Sequence, residues 1–177
     1  MRYTLAVLLV AGAVAACGGR TQTGWSMGDG GKHVEASPPS CFGGQATSAF
    51  AGSYTGPWSG TWSCWGGVTL SGRVMLTLTP AGSALGVSGN WEGYTQLPSI
   101  KGTVAGTVNC SGSSPVMTGT IPRITLTGSG VAYDLAGTLS ATFVPSPAPP
   151  RLANGTWTVT ASDGSGCTGK GTWSATK

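Results

Sequence analysis

The 177 residues include 31 Gly and only 8% charged residues, so small, uncharged, β-compatible side chains dominate the chain. The length allows one ordinary domain plus a tail. With 40% apolar residues and seven Trp a packed core is within reach, which excludes wholesale disorder, and glycines that follow no period of three exclude a collagen helix. Nine Lys and Arg against five Asp and Glu give a formal net charge of +4, spread singly along the chain. There is no basic patch, so nucleic acid is not an expected partner.

At the N-terminus, Arg2 precedes an uninterrupted run of apolar and small residues from Leu5 to Ala16. That is the length of a signal-peptide apolar region and too short to cross a bilayer as a helix. Ala15 and Ala16 lead into Cys17, and Val14-Ala15-Ala16-Cys17 resembles the lipobox of bacterial lipoproteins. The resemblance implies removal of residues 1–16 and acylation of the Cys17 sulfur. Membrane association would then need no spanning helix, since each buried lipid methylene contributes about 0.8 kcal/mol. Gly18 stands where enterobacterial lipoproteins retained at the inner membrane carry Asp, so the resemblance implies a bacterial cell-envelope location, at the outer membrane. Setting Cys17 aside also leaves an even four cysteines, Cys41, Cys64, Cys110 and Cys167.

Residues 17–53 read as the lipidated Cys and a Gly/Ser/Pro-rich tether, because they show no period of 3.6 or 2 and contain Gly28-Asp29-Gly30-Gly31 and Ser37-Pro38-Pro39-Ser40. About two dozen flexible residues reach on the order of 25 to 30 Å. His33, the chain's one histidine, falls here as a solvated residue. Cys41, Phe42 and Phe50 point to docking of the later part of this segment onto the domain that follows, residues 54–177.

From Trp58 onward the chain alternates between core-type and hydroxyl-bearing residues, the signature of strands buried on one face. Leu70, Val74, Leu76 and Leu78 interleave with Thr69, Ser71, Arg73 and Thr77, and Ile100, Val104 and Val108 with Lys101, Thr103 and Thr107. Val131, Tyr133, Leu135, Leu139 and Phe143 repeat the pattern, as do Cys167, Trp173 and Ala175. Eight strands follow, near 58–65, 68–79, 84–92, 99–110, 116–127, 131–143, 153–161 and 167–176. Short Gly-, Ser- and Pro-rich turns separate most of them, so sequence neighbours pair in space. Pro122 interrupts the fifth strand where the alternation slips by one residue, which places a bulge there. Eight antiparallel strands with tight turns close most simply into an all-β up-and-down barrel, the alternative being a β-sandwich. Outward residues are Thr and Ser with Arg73, Lys101, Asp134 and Lys170, unlike the apolar belt of a barrel embedded in lipid.

This topology predicts the disulfides. Cys64 ends the first strand and Cys167 begins the last, at one end of the barrel and on strands that closure makes neighbours. Cys110 ends the fourth strand at the opposite end, where the segment carrying Cys41 arrives. The expected pairs are therefore Cys64–Cys167 and Cys41–Cys110. No C-x-x-C spacing supports a metal site.

Gly60-Thr61-Trp62, Gly155-Thr156-Trp157 and Gly171-Thr172-Trp173 repeat one G-x-W unit. The first looks like the opening of lipocalin- and avidin-type barrels, whose Trp plugs one end; their ligand-binding residues have no counterparts here. Inward glycines leave volume that the tryptophans can fill, giving a packed interior. The alternative is a pocket for a small apolar ligand at the end formed by Trp65, Gly66, Gly67, Gly93, Tyr94 and the 162–166 turn. Its candidate binding residues are Trp65, Trp91, Tyr94, Gln96 and Asp163.

The domain holds three acids, Glu92, Asp134 and Asp163, no His and no thiol left free once the disulfides form. Nothing assembles a nucleophile with a base or a pair of inward carboxylates, so neither catalysis nor a cofactor is expected. Two functions remain: a non-catalytic interaction or structural module of the envelope that meets a protein or glycan, and a carrier of a small hydrophobic molecule.

Overall fold

The computed structural model describes residues 40–64, 66–94, 98–128 and 130–177. They form β1 (Gly52–Trp62), β2 (Val68–Ala81), β3 (Ala84–Gly93), β4 (Ser99–Ser111), β5 (Ser114–Gly128), β6 (Val131–Val144), β7 (Arg151–Ala161) and β8 (Thr168–Thr176). Every neighbour pair is antiparallel, and β1 also pairs with β8, so the eight strands close into an up-and-down barrel. Closure removes both sheet edges, which excludes the sandwich. The β1–β2, β3–β4, β5–β6 and β7–β8 connections lie at one end, here the upper rim; the other three lie at the lower rim.

Alternation reads directly into burial. Val74, Leu76, Leu78, Val104, Val108, Leu135, Leu139, Phe143 and Trp173 all point into the core, at 4% exposure or less. Two residues of expected inward parity face solvent. Val131 is 45% exposed and Cys110 is exposed as well, because both stand at strand ends, beyond the height at which the opposite wall covers them.

β1 begins at Gly52, six residues before the expected start, and stops at Trp62. Pro57 hides this in the sequence, since proline has no N–H for a ladder. The barrel accommodates it at the seam, where the β1–β8 register passes from Thr55–Thr176 to Trp58–Trp173 with no pair between. The expected bulge at Pro122 is present: the β5–β6 register shifts between Ile121 and Ile124, and the β4–β5 register shifts between Thr103 and Ala105.

The later part of the segment read as tether docks onto the barrel, as expected from Cys41, Phe42 and Phe50, and Gly52 already opens β1. Two 3-10 turns, Ser40–Phe42 and Thr47–Phe50, carry Phe42 and Phe50 to within 2% of full burial. Their rings meet Phe143 at centroid distances of 5.9 and 5.3 Å and plug the lower rim. The Tyr54 hydroxyl donates to the Phe50 carbonyl at 2.9 Å, and burial pushes its pKa up from 10.0 to about 12. Between those two values only the unfolded chain loses the phenolic proton, so Tyr54 makes stability fall as pH rises through that window. Urea midpoints at about pH 9 and about pH 11.5 should therefore differ less in Tyr54→Phe than in wild type; equal differences would remove Tyr54 as the cause.

Both expected disulfides form, Cys41–Cys110 at the lower rim and Cys64–Cys167 at the upper. The second staples the seam between the two strands farthest apart in sequence, with a separation of 103 residues. Around it, Ser63 N donates to Thr168 O at 2.8 Å and Thr168 N to Ser63 Oγ at 2.7 Å. Replacing Cys64 and Cys167 together by Ser should cost about 2 to 4 kcal/mol, mainly by freeing a long loop in the unfolded chain. Urea denaturation of the double variant against wild type measures it.

Candidate functional site

The barrel interior is the first place to look for a site, and indoles occupy it. Trp58, Trp62, Trp91 and Trp157 are each at most 1% exposed. Trp58 stacks on Trp91 at 5.0 Å, and Trp157 lies 5.1 to 5.8 Å from Trp62, Trp91 and Trp58. Strand pairing explains how such large rings fit. Trp58 faces Gly72, Trp62 faces Gly169, Trp91 faces Gly102, Trp157 faces Gly171 and Trp173 faces Gly155. Each indole is thus laid beside a residue with no side chain, an arrangement known from aromatic–glycine pairs in sheets. The recurrent G-x-W unit takes its meaning from this register: Gly155-Thr156-Trp157 and Gly171-Thr172-Trp173 run antiparallel, Gly against Trp at both ends and Thr against Thr between.

Two of these indoles have acceptors. Trp58 Nε1 donates to Glu92 O at 2.8 Å and Trp173 Nε1 to Thr156 O at 3.3 Å. The Nε1 donors of Trp62, Trp91 and Trp157 are buried without a hydrogen-bond partner. The Trp157 ring is set at 74° to Trp91 and 88° to Trp58, edge to face with both.

The sequence-predicted ligand residues do not gather in one lining. Trp91 lies inside the wall at 0% exposure, whereas Tyr94 stands 60% exposed, one residue past the end of β3. Asp163 lies in the β7–β8 turn, where it accepts from Ser165 N at 2.9 Å. The Ser165 side chain, then its backbone N–H, hold the Asp163 carboxyl below its ordinary value. Trp65, Gln96 and the lipidation candidate Cys17 fall outside the described residues. No group of three His, Cys, Asp or Glu side chains suited to a metal ion occurs among the described residues.

The outer wall holds a feature that the sequence reading missed. Arg73, Glu92, Lys101, Arg123 and Asp134 stand on five successive strands, β2 to β6. Registers place Arg73 opposite Glu92, Glu92 opposite Lys101, Lys101 opposite Thr125, and Thr125 opposite Asp134. In strand order the charges run plus, minus, plus, plus, minus, a hoop across these five strands near the upper rim. Arg123 grips Asp134 with two hydrogen bonds, Nε to Oδ1 at 3.1 Å and Nη2 to Oδ2 at 2.7 Å, while Thr125 Oγ1 donates to Oδ1 at 3.0 Å. The Arg123 hydrogen bond, followed by that of Thr125, holds the Asp134 carboxyl below its ordinary value.

At the β5 bulge the wall opens into a groove of about 580 Å³ lined by Asn90, Glu92, Lys101, Thr103, Arg123 and Thr125. Its signal was present in the sequence as one charge per strand, but isolated charges become a group only once the registers are known. In comparisons with known proteins, no family model, curated protein or solved structure matches this chain.

Proposed function

We propose that the protein is a lipid-anchored module of the bacterial cell envelope that works without catalysis, by contact of its outer wall and rim loops with an envelope protein or glycan. The observation that carries this reading is the Trp-filled interior: with Trp58, Trp62, Trp91 and Trp157 at the centre, a partner is offered the outside of the barrel. The two disulfides agree with a location outside the cytoplasm. The lipobox resemblance at Val14-Ala15-Ala16-Cys17 supports the anchor, and Gly18 in place of Asp supports the outer membrane. A carrier of apolar molecules would have to displace indoles packed 5 to 6 Å apart.

Two measurements test the reading. Mass spectrometry of protein from bacterial membranes should find a mature N-terminus at Cys17 bearing a diacylglyceryl thioether, and Cys17→Ser should move the protein to the soluble fraction. Solvent extraction of the purified Cys17→Ser protein should release no small apolar molecule in stoichiometric amount; one equivalent of such a molecule would sink the interaction reading in favour of the carrier.

A further inference from the structure

The groove at the β5 bulge sits where the fold departs from a regular ladder. Two register shifts meet there, one toward β4 and one toward β6, around a proline that has no N–H to give. Bulges re-aim side chains, and this one leaves Pro122 and Arg123 exposed in succession, bringing the Arg123 guanidinium over the outer wall. Asp134, itself held by the Thr125 hydroxyl, then fixes that guanidinium with two hydrogen bonds. A held guanidinium has lost much of its rotamer freedom before a ligand arrives.

Lys101 lines the same groove and makes no ion pair among the described residues, although Glu92 stands opposite it in the register. Two cations, Arg123 already paired with Asp134 and Lys101 unpaired, therefore line a concave surface together with Glu92, one amide and two Thr hydroxyls. The exposed Tyr94 follows two residues after Glu92, at the rim above. The lower flank, in contrast, is neutral, with Thr107, Thr118 and Ser88.

We propose that this groove binds an acidic saccharide, its carboxylate received by Lys101 and Arg123 and its hydroxyls by Glu92, Asn90 and Thr103. The chemistry of the lining selects this class. A plain anion would leave Glu92 facing a like charge, and a neutral sugar would leave Lys101 without a counter-charge. A sugar acid meets both, donating hydroxyl hydrogens to the carboxylate of Glu92 while presenting its own carboxylate to the cations. This assignment rests on the outer-wall interaction reading and names its ligand, but it does not depend on the lipid anchor.

The test uses the Cys17→Ser chain with disulfides intact, titrated with a trigalacturonate, with an uncharged trisaccharide and with inorganic phosphate, and followed by calorimetry and amide NMR shifts. The acidic trisaccharide should bind at least about tenfold more tightly than either comparison ligand, the factor that one charge-assisted hydrogen bond supplies. Shifts should cluster at residues 90–92, 101–103 and 123–125. Lys101→Glu should abolish binding, Lys101→Arg should keep it within about threefold, and Lys170→Glu on β8 should leave it unchanged. An unchanged amide spectrum away from the groove verifies the fold of each variant. Equal binding of the uncharged trisaccharide, phosphate binding as tight as the uronate, or no binding by any of them would overturn the assignment. A lipid equivalent extracted from the barrel would instead remove the interaction reading itself.

Discussion

Trp157→Ala is expected to cost about 3 to 5 kcal/mol, the range for deleting a buried aromatic from a core that cannot collapse around the void. Trp157 lies between Trp58, Trp62 and Trp91, at ring distances of 5.8, 5.1 and 5.5 Å, so its removal takes a contact from each of three other indoles. The loss is a large share of the roughly 5 to 15 kcal/mol that holds a domain of ordinary size folded. Phenylalanine substitutions separate packing from hydrogen bonding. Trp58→Phe removes the Nε1 bond to Glu92 O, whereas Trp157→Phe removes a buried donor that had no acceptor. Both give up the same volume. Trp157→Phe should therefore be the milder change, by about 1 to 2 kcal/mol. Urea unfolding followed by far-UV circular dichroism measures both, and a costlier Trp157→Phe would show that its N–H is in fact bonded.

Gly171→Ala is expected to destabilise by about 3 kcal/mol or more, with the opposite sign to the usual effect of alanine on a strand. A β-carbon at 171 would run into the Ser59 carbonyl oxygen, lie 2.6 Å from Gly60 Cα and lie 2.8 Å from Trp157 Nε1. The first two are backbone of β1, so relief requires β1 and β8 to part at the seam. Gly86→Ala is the matched comparison. There the nearest atom to a new β-carbon is the Thr79 hydroxyl at 3.1 Å, on a side chain that can turn away. That variant should stay within about 0.5 kcal/mol of wild type, as most surface substitutions do. Melting temperatures would place the two apart by roughly 10 °C, taking about 3 to 4 °C per kcal/mol at this domain size. A near-neutral Gly171→Ala would mean that the seam is looser than the closed register implies.

The same packing accounts for the recurrence of Gly-Thr-Trp. Each tryptophan needs a bare backbone opposite, and a residue two positions away is available to serve the next strand's tryptophan. In β7 and β8 one G-x-W unit satisfies the other, and β1 joins by pairing Gly60 with Gly171 and Trp62 with Gly169. Thr occupies the central position because it faces water on a strand, where a β-branched hydroxyl side chain suits the pleat.

Period-two alternation from Leu70 to Ala175 determined on its own that the chain is all-β and which faces turn inward, since a strand has only two faces and a slip by one residue would expose the whole set. Short turns then determined strand order, and strand order the ends at which Cys64, Cys167, Cys41 and Cys110 meet. Three things were decided only by the tertiary structure. Pro57 concealed the first six residues of β1, because the cost of a missing N–H depends on whether a partner strand needs that donor. The place where Phe42 and Phe50 dock, expected from the sequence only as contact with the domain, was set by Phe143 and Tyr54, which stand at the lower rim to receive them. The charged hoop and its groove came from registers that join residues up to 61 positions apart, Arg73 to Asp134, through four strand pairings. Burial is written locally, in what each residue can afford to hide from water, but a site on a barrel wall is a sum over neighbours that no single strand contains.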